Sequence, residues 1–474
     1  MDKDISNLSA ADLSRAVHQR QVSCVDVMET YLDRIDRINP QINAVVSLRP
    51  RTQLMDEARV CDLELVEGKS RGWMHGFPQA IKDLSETDGL PCSWGSPLFK
   101  GYVSNQDALH VSRIRAAGAI FIGKTNTPEF GLGSHTTNPV HGATRNAYDQ
   151  SKSAGGSSGG AAAALAARLL PVADGSDMMG SLRNPAAFNN VIGFRPSAGR
   201  VPNGKGLDHF YSQLGIAGPM GRTVADTALL LATQAGYHVN DPLSLPDENL
   251  ALRGIAQTTG MKVAWLGDFG GYLPFEPGVL ETTRRALDVL AGIGVEIDEL
   301  VPNFDLEALW RAWLILRSFN AAHGLRGLHS QPEKRAQFNA QLNFEFDLAL
   351  SASAADVYDA STVRTSWYKY MTELFSRYNF VVMPSAQVFP FPVEQSWPTE
   401  IAGRRMDTYH RWMEVVIGPT LAGLPVAAVP AGFGENGLPC GVQLVGPPRA
   451  DRETLEFALA YERAAGIMTG TAFD

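Results

Sequence analysis

Three short stretches of the chain carry residue types that could do covalent chemistry. Ser153-Ala-Gly-Gly-Ser-Ser-Gly-Gly-Ala-Ala-Ala-Ala-Leu165 sets Ser157 and Ser158 among glycines that run straight into an Ala/Leu helix. A Gly/Ser patch in isolation reads as a flexible linker. Here it sits inside a regular alternation of strands and helices, where a tight loop at a helix start is the better reading, because such a loop exposes hydroxyls and backbone N–H groups. The second stretch is Asp174-Gly-Ser-Asp-Met-Met-Gly-Ser-Leu-Arg-Asn-Pro185. It offers Ser181 on a turn with clustered N–H donors, which a tetrahedral oxyanion needs; the plain alternative is a strand-to-helix loop with a serine cap. A serine nucleophile needs a base. None of the ten histidines sits in a pattern that nominates it, and His135 and His141, flanking a polar loop, read as structural. The other option is a lysine kept neutral by burial. Lys82 ends the apolar run from Gly76, at an expected strand terminus facing a Gly89-Leu-Pro turn. Most lysines are solvated, so position alone does not select it.

The elements that must position these residues alternate in type. The first sixty residues read as helices, with Leu8, Leu13 and Val17 at helical spacing and Val25 to Ile38 repeating the pattern before Asn39-Pro40 stops it. From Gly72 onward short apolar runs (Gln79 to Ile81, Ala119 to Ile122, Leu170 to Ala173) alternate with helical stretches such as Ala108 to Ala117 and Val224 to Ala235. Lys262 to Leu266, Phe380 to Met383, Val426 to Val429 and Gly441 to Val445 read as further strands, and Glu453 to Ala465 as a closing helix. Strand, helix, strand in that order implies an α/β fold with a mostly buried sheet. No repeat and no linker divides the chain. One large domain over 1–474 is expected, with a helical segment at 1–65, a core carrying the lysine and both serines at 66–235, a variable region at about 265–395, and closing strands and helix at 396–474.

Composition bounds the function. A chain of 474 residues exceeds the roughly 250–300 at which single cores stop growing. With 45% hydrophobic and 19% charged residues, disorder and coiled coil are excluded. The net charge of −9, without a basic block, argues against a nucleic-acid partner. Cys24, Cys61, Cys92 and Cys440 lack metal-ligand spacing, so no metal site or disulfide framework is expected. The acidic-polar start is no secretory signal. Val415 to Gly434 is long enough to span a bilayer, but Pro419, Pro425 and Pro430 break a lipid-exposed helix. A soluble, cytoplasmic protein with no membrane contact is expected. Gly118 to Thr125 spells the nucleotide-binding G-x-x-x-x-G-K-T, yet Ala-Ile-Phe-Ile is a buried strand rather than a phosphate loop, and Asn126-Thr127-Pro128 makes a turn where a helix should open.

Together the three segments resemble the amidase signature family of serine hydrolases. Lys82 precedes Ser157 by 75 residues and Ser157 precedes Ser181 by 24, as in that family. Arg34 to Ala44, Gly123 to Phe130, Gly218 to Asp226 and Gly423 to Gly446 are also similar to family segments, covering nearly the whole length apart from about 265–395. The resemblance implies a mixed central sheet covered by helices on both faces. It implies Ser181 as acyl nucleophile, Ser157 as bridging serine after a cis peptide bond, and Lys82 as base. The N–H groups of Met178, Met179, Gly180 and Ser181 become the oxyanion-hole candidates, Asp177 and Arg183 the bracing pair, and Ser158 a supporting hydroxyl. No metal or organic cofactor is implied, and a homodimer follows by analogy only. The family has two glycines before the nucleophile, whereas here Met179 precedes Gly180. If that position used positive φ, methionine would be strained by about 1–2 kcal/mol; an ordinary backbone, with the side chain reaching toward the acyl pocket, is expected.

The implied substrate is a small-molecule amide, ester or carbamate. Trp310, Trp313, Phe319, Phe338, Phe344, Phe346, Trp367, Tyr370, Phe389, Phe391 and Trp397 crowd the least family-like region. Each taken singly reads as core, while their number suggests an apolar or aryl substrate. The alternative is the A subunit of a tRNA-dependent amidotransferase, which has an acid and a tyrosine before the Gly-Leu-Pro strand. Met413 to Ala422 in this chain is closer to free-standing amidases. The complete Lys-Ser-Ser set argues against a non-enzymatic binding protein.

Overall fold

The computed structural model describes residues 4–204, 206–466 and 472–473. Its centre is an eight-stranded sheet in the spatial order Glu296–Glu299, Lys262–Trp265, Phe380–Pro384, Pro439–Val445, Val426–Phe433, Ile192–Arg195, Ile216–Gly221, Ala173–Asp177. The first three strands run parallel and every other pair is antiparallel, so the sheet is mixed. Side chains alternate across it as pleating requires. Phe380 and Val382 pack with the helices Val224–Gln234, Val279–Gly292 and Asp451–Ala465, whereas Val381 and Met383 pack with Leu306–Gly324 and Ala354–Leu374. Both faces are therefore covered, giving the single α/β domain expected. A smaller sheet joins Val45–Val46, Ile120–Thr125 and Pro78–Lys82, the last two parallel in register Lys82 to Thr125.

The wholly buried helix Gly159–Ala166 lies on the ends of this small sheet. Gly160 permits the approach, since a Cβ there would come 2.3 Å from the Asn126 nitrogen and 2.7 Å from the Ala44 carbonyl oxygen. The Gly/Ser patch is thus a loop into a helix and not a linker.

Two expected element boundaries need correction. The helix Cys24–Ile42 runs through Pro40 instead of stopping at Asn39-Pro40. Proline so near the end removes one hydrogen bond, and the true stop is Asn43 in the left-handed region (φ 50°), with the Asn39 side chain accepting from the N–H groups of Ala44 and Val45. The strand expected at Leu170 to Ala173 begins at Ala173 and continues through the polar Asp174 to Asp177, because those acids find partners inside the fold. The P-loop spelling falls on the strand Ile120–Thr125, and Lys124 is buried with Nζ donating to the Ser85 carbonyl and Thr87 Oγ1. The stretch Val415 to Gly434 divides into short helical turns and a strand, and no helix among the described residues is long and apolar enough to cross a membrane. Most aromatics of the variable region are core: Trp310, Trp313 and Trp367 have almost no exposure.

Candidate active site

Lys82 closes its strand with its side chain fully buried. Nζ lies 2.8 Å from Ser157 Oγ, 2.8 Å from Ser158 Oγ, 3.0 Å from Ser176 Oγ and 3.4 Å from the Ser176 carbonyl oxygen. Among the described residues no carboxylate binds it. Burial pushes its pKa down to about 7, against a weaker upward pull from Asp174 and Asp177. Asp174 instead accepts the backbone N–H of Lys82, at 3.2 Å.

The Gly156–Ser157 peptide is cis. Its loop is pinned from outside, Ser134 Oγ donating to the Gly156 carbonyl at 2.5 Å and the Ser158 N–H donating to the Ser181 carbonyl at 3.2 Å. The second contact brings the two serine loops together. Ser181 is buried with 7% of its surface exposed, and its hydroxyl makes no hydrogen bond among the described residues. The Lys82–Ser157 link is therefore assembled, while the Ser157–Ser181 link is not; such contacts often tighten only with substrate.

The turn before Ser181 hangs on a buried brace. Asp177 accepts from Arg183 Nε (3.0 Å) and Nη2 (2.8 Å), from the N–H groups of Gly180 and Leu182 (3.0 Å each), and from Arg195 Nη1 (3.3 Å). Burial alone would raise this carboxyl, but the two guanidiniums hold it well below the ordinary carboxylate range. Arg183 carries the brace onward, donating to the Val416 carbonyl, Gln443 Oε1 and Thr420 Oγ1. Gly180 has φ 77°, and a Cβ there would fall 2.3 Å from Asn184 Oδ1. Met179 has no positive φ and packs into the apolar cluster, so its backbone is ordinary as expected. One of the four oxyanion candidates changes status: the Gly180 N–H is spent on Asp177. Those of Met178, Met179 and Ser181 make no hydrogen bond among the described residues.

Sequence reasoning missed Asp174, Arg195 and the contact of Ser176 with the lysine. The only available signal was that the strand leading to the nucleophile turn is polar. His135 is structural, its ring nitrogens bonded to Ser153 Oγ and the Val393 carbonyl. His141 lies 3.3 Å from Ser93 Oγ. Among the described residues Cys61, Glu64 and His75 form the one group with metal-ligand proximity. Both His75 nitrogens are engaged, by the Arg71 N–H and the Cys61 carbonyl, and Glu64 pairs with Arg71, so the imidazole has no ring nitrogen to spare for a cation.

The arrangement suits acyl transfer to a hydroxyl, and likeness to known proteins agrees with it. The Amidase family model matches residues 26–455. An acylamidase of Rhodococcus erythropolis is 32% identical over 97% of this chain and 96% of its own length. The A subunit of a glutamyl-tRNA(Gln) amidotransferase from Corynebacterium jeikeium is 33% identical over 97% of each chain. The crystal structure of a bacterial aryl acylamidase of the amidase signature family superposes with a TM-score of 0.89, covering 97% of this chain and 96% of that one at 27% identity. With match, fold and site in agreement, the chain belongs to the amidase signature family, hydrolases acting on the C–N bonds of amides.

Proposed function

We propose that this protein is a free-standing serine amidohydrolase of the cytoplasm that cleaves the C–N bond of a non-peptide amide, with an apolar or aryl group, and tolerates esters or carbamates. The observation that carries the reading is Lys82: a fully buried amine with no carboxylate partner among the described residues, 2.8 Å from Ser157 Oγ, with its pKa brought down to about 7. Neutral Lys82 takes the Ser157 proton as Ser157 takes that of Ser181. Ser181 Oγ bonds to the carbonyl carbon, and the oxyanion is met by the N–H groups of Met178, Met179 and Ser181. The proton returns through Ser157 to the departing nitrogen as the C–N bond breaks. Water then repeats the sequence on the acyl-enzyme, restoring Ser181.

The name of the aryl acylamidase and the aromatic side chains Trp397, Tyr409 and Trp412 in a cavity near the serine loop support the aryl preference. A cavity of about 410 Å³ beside the Ser157 loop includes Ser134, Trp397 and Tyr409. The amidotransferase relative supports a second reading, glutamine hydrolysis with a partner chain; the Met413 to Ala422 segment disfavours it. Purified protein is to be labelled with a serine-directed phosphonate, mass-mapped, and assayed alone on anilides, aliphatic amides, esters, carbamates and glutamine. An adduct on Ser181 with turnover of anilides is expected. Labelling elsewhere, or turnover of glutamine alone, contradicts the proposal.

A further inference from the structure

A cavity of about 730 Å³ opens behind the nucleophile turn, bounded by Leu214, Phe319, Tyr211, Tyr358 and Arg364. It adjoins the turn directly, since a Cβ on Gly215 in its wall would lie 3.5 Å from the Met178 side chain. Arg364 is partly buried, and its helix places no acid one turn away on either side: the neighbours are Ala360, Ser361, Trp367 and Tyr368. Its Nε donates to the Leu421 carbonyl at 2.7 Å, at the end of a five-residue helix. Neither terminal nitrogen makes a hydrogen bond or ion pair among the described residues. The sole carboxylate in the wall among the described residues, Asp241, is taken up by the N–H groups of Asn203 and Leu243.

In a protein of net charge −9 the wall sets Arg364 and Arg449 against one acid. A guanidinium in a cavity wall whose terminal nitrogens are unpaired among the described residues suits an anion, and its planar fork matches a carboxylate. Tyr211 and Phe319, edge to face with ring centres 5.6 Å apart, supply aromatic walls in the same cavity.

We propose that this cavity binds the carboxylate end of an aromatic ligand, with Arg364 as the anion-recognising residue. That the ligand is the distal part of the substrate or product rests on the hydrolase reading; the binding itself does not.

The test uses benzoate and its neutral isostere benzamide, titrated calorimetrically into enzyme whose Ser181 is blocked by phosphonate and into the Ser181→Ala variant. Saturable benzoate binding is expected in both, weakened about tenfold or more by Arg364→Met, as for loss of one charge-assisted hydrogen bond. Benzamide should bind wild type at least tenfold more weakly than benzoate and ignore the substitution. The benzoate-to-benzamide ratio needs no variant, so it decides the matter even if Arg364→Met misfolds. Equal binding of the two, equal binding of benzoate to wild type and Arg364→Met, or no saturable binding overturns the proposal. Failure of phosphonate labelling would count against the hydrolase reading alone, since Ser181→Ala still reports on the cavity.

Discussion

Replacing Asp174 by asparagine should move the pH profile of the enzyme toward acid. An ordinary lysine, with a pKa near 10.5, is about 0.03% neutral at pH 7, whereas one near 7 is about half neutral, a gain on the order of a thousandfold in competent base. Desolvation produces that gain and Asp174 opposes it. The Asp174 carboxylate touches the backbone N–H of Lys82 and not the ammonium, so its effect should fall short of the one to three pH units of a direct ion pair. A shift on the order of half a pH unit is expected, because asparagine keeps an acceptor for the N–H and removes the charge. Below the midpoint kcat/KM falls about tenfold per pH unit, so Asp174→Asn should exceed wild type roughly two- to threefold at pH 6, relative to each plateau. The assay is kcat/KM on a non-ionising anilide from pH 5 to 9, with phosphonate labelling rates as a second measure. His110 Nε2 lies 3.7 Å from Asp174, and the wild-type limb must survive His110→Gln. An alkaline or absent shift in Asp174→Asn, or a wild-type midpoint above about 9, would refute the assignment of Lys82.

Ser181→Ala should abolish labelling and lower turnover by at least about a thousandfold while stability stays within about 1 kcal/mol in urea unfolding; substantial residual turnover would place the nucleophile elsewhere. Lys82 binds its proton more weakly folded than unfolded, so between pH 7 and about 10.5 the unfolded chain holds one more proton and stability rises with pH. Relative to Lys82→Met, wild type should gain about 1.4 kcal/mol per pH unit between pH 7.5 and 10, and parallel curves would mean the lysine is not perturbed. Asp177→Asn strands two buried guanidiniums and should cost about 3–5 kcal/mol; a variant as stable as wild type would show that the brace carries no load. Gly180→Ala must hold φ 77° and displace Asn184 and Val416, so kcat should fall more than KM changes, measured by steady-state kinetics.

How much of this was legible depended on whether a residue's role is local. Lys82, Ser157 and Ser181 sit at a strand end and in glycine turns that made them candidates, but their roles were implied by the family resemblance and not by local residue types alone. The strands Lys262–Trp265 and Phe380–Pro384 and the helix Asp451–Ala465 followed the apolar pattern within a residue or two, whereas the strand Val426–Phe433 runs four residues past its expected end and the helix Val279–Gly292 and the strand Glu296–Glu299 were not anticipated. Arg195 was illegible because it reaches Asp177 from the strand Ile192–Arg195, which only the sheet order brings near. Ser176 and Asp174 were passed over because a strand reading Ala-Asp-Gly-Ser-Asp lacks apolar alternation; its polarity makes sense only once Lys82 is packed against it. The aromatics misled in the other direction: large rings in the region least like the family suggested a pocket, and most of them fill the core.

The strand Ala173–Asp177 has to satisfy two opposed electrostatic demands within five residues. The lysine must stay uncharged at neutral pH, so nothing nearby can offer it a bare carboxylate; the nucleophile turn must be tied down tightly enough to aim three N–H groups, and an ionised carboxylate does that best. Asp177 meets the second demand without violating the first because Arg183 and Arg195 neutralise it and draw its oxygens away from Lys82. Ser176, between the two acids, gives the lysine a hydroxyl that accepts a hydrogen bond without holding a proton on nitrogen. A neutral base beside a charged brace is therefore a consequence of two arginines facing one acid.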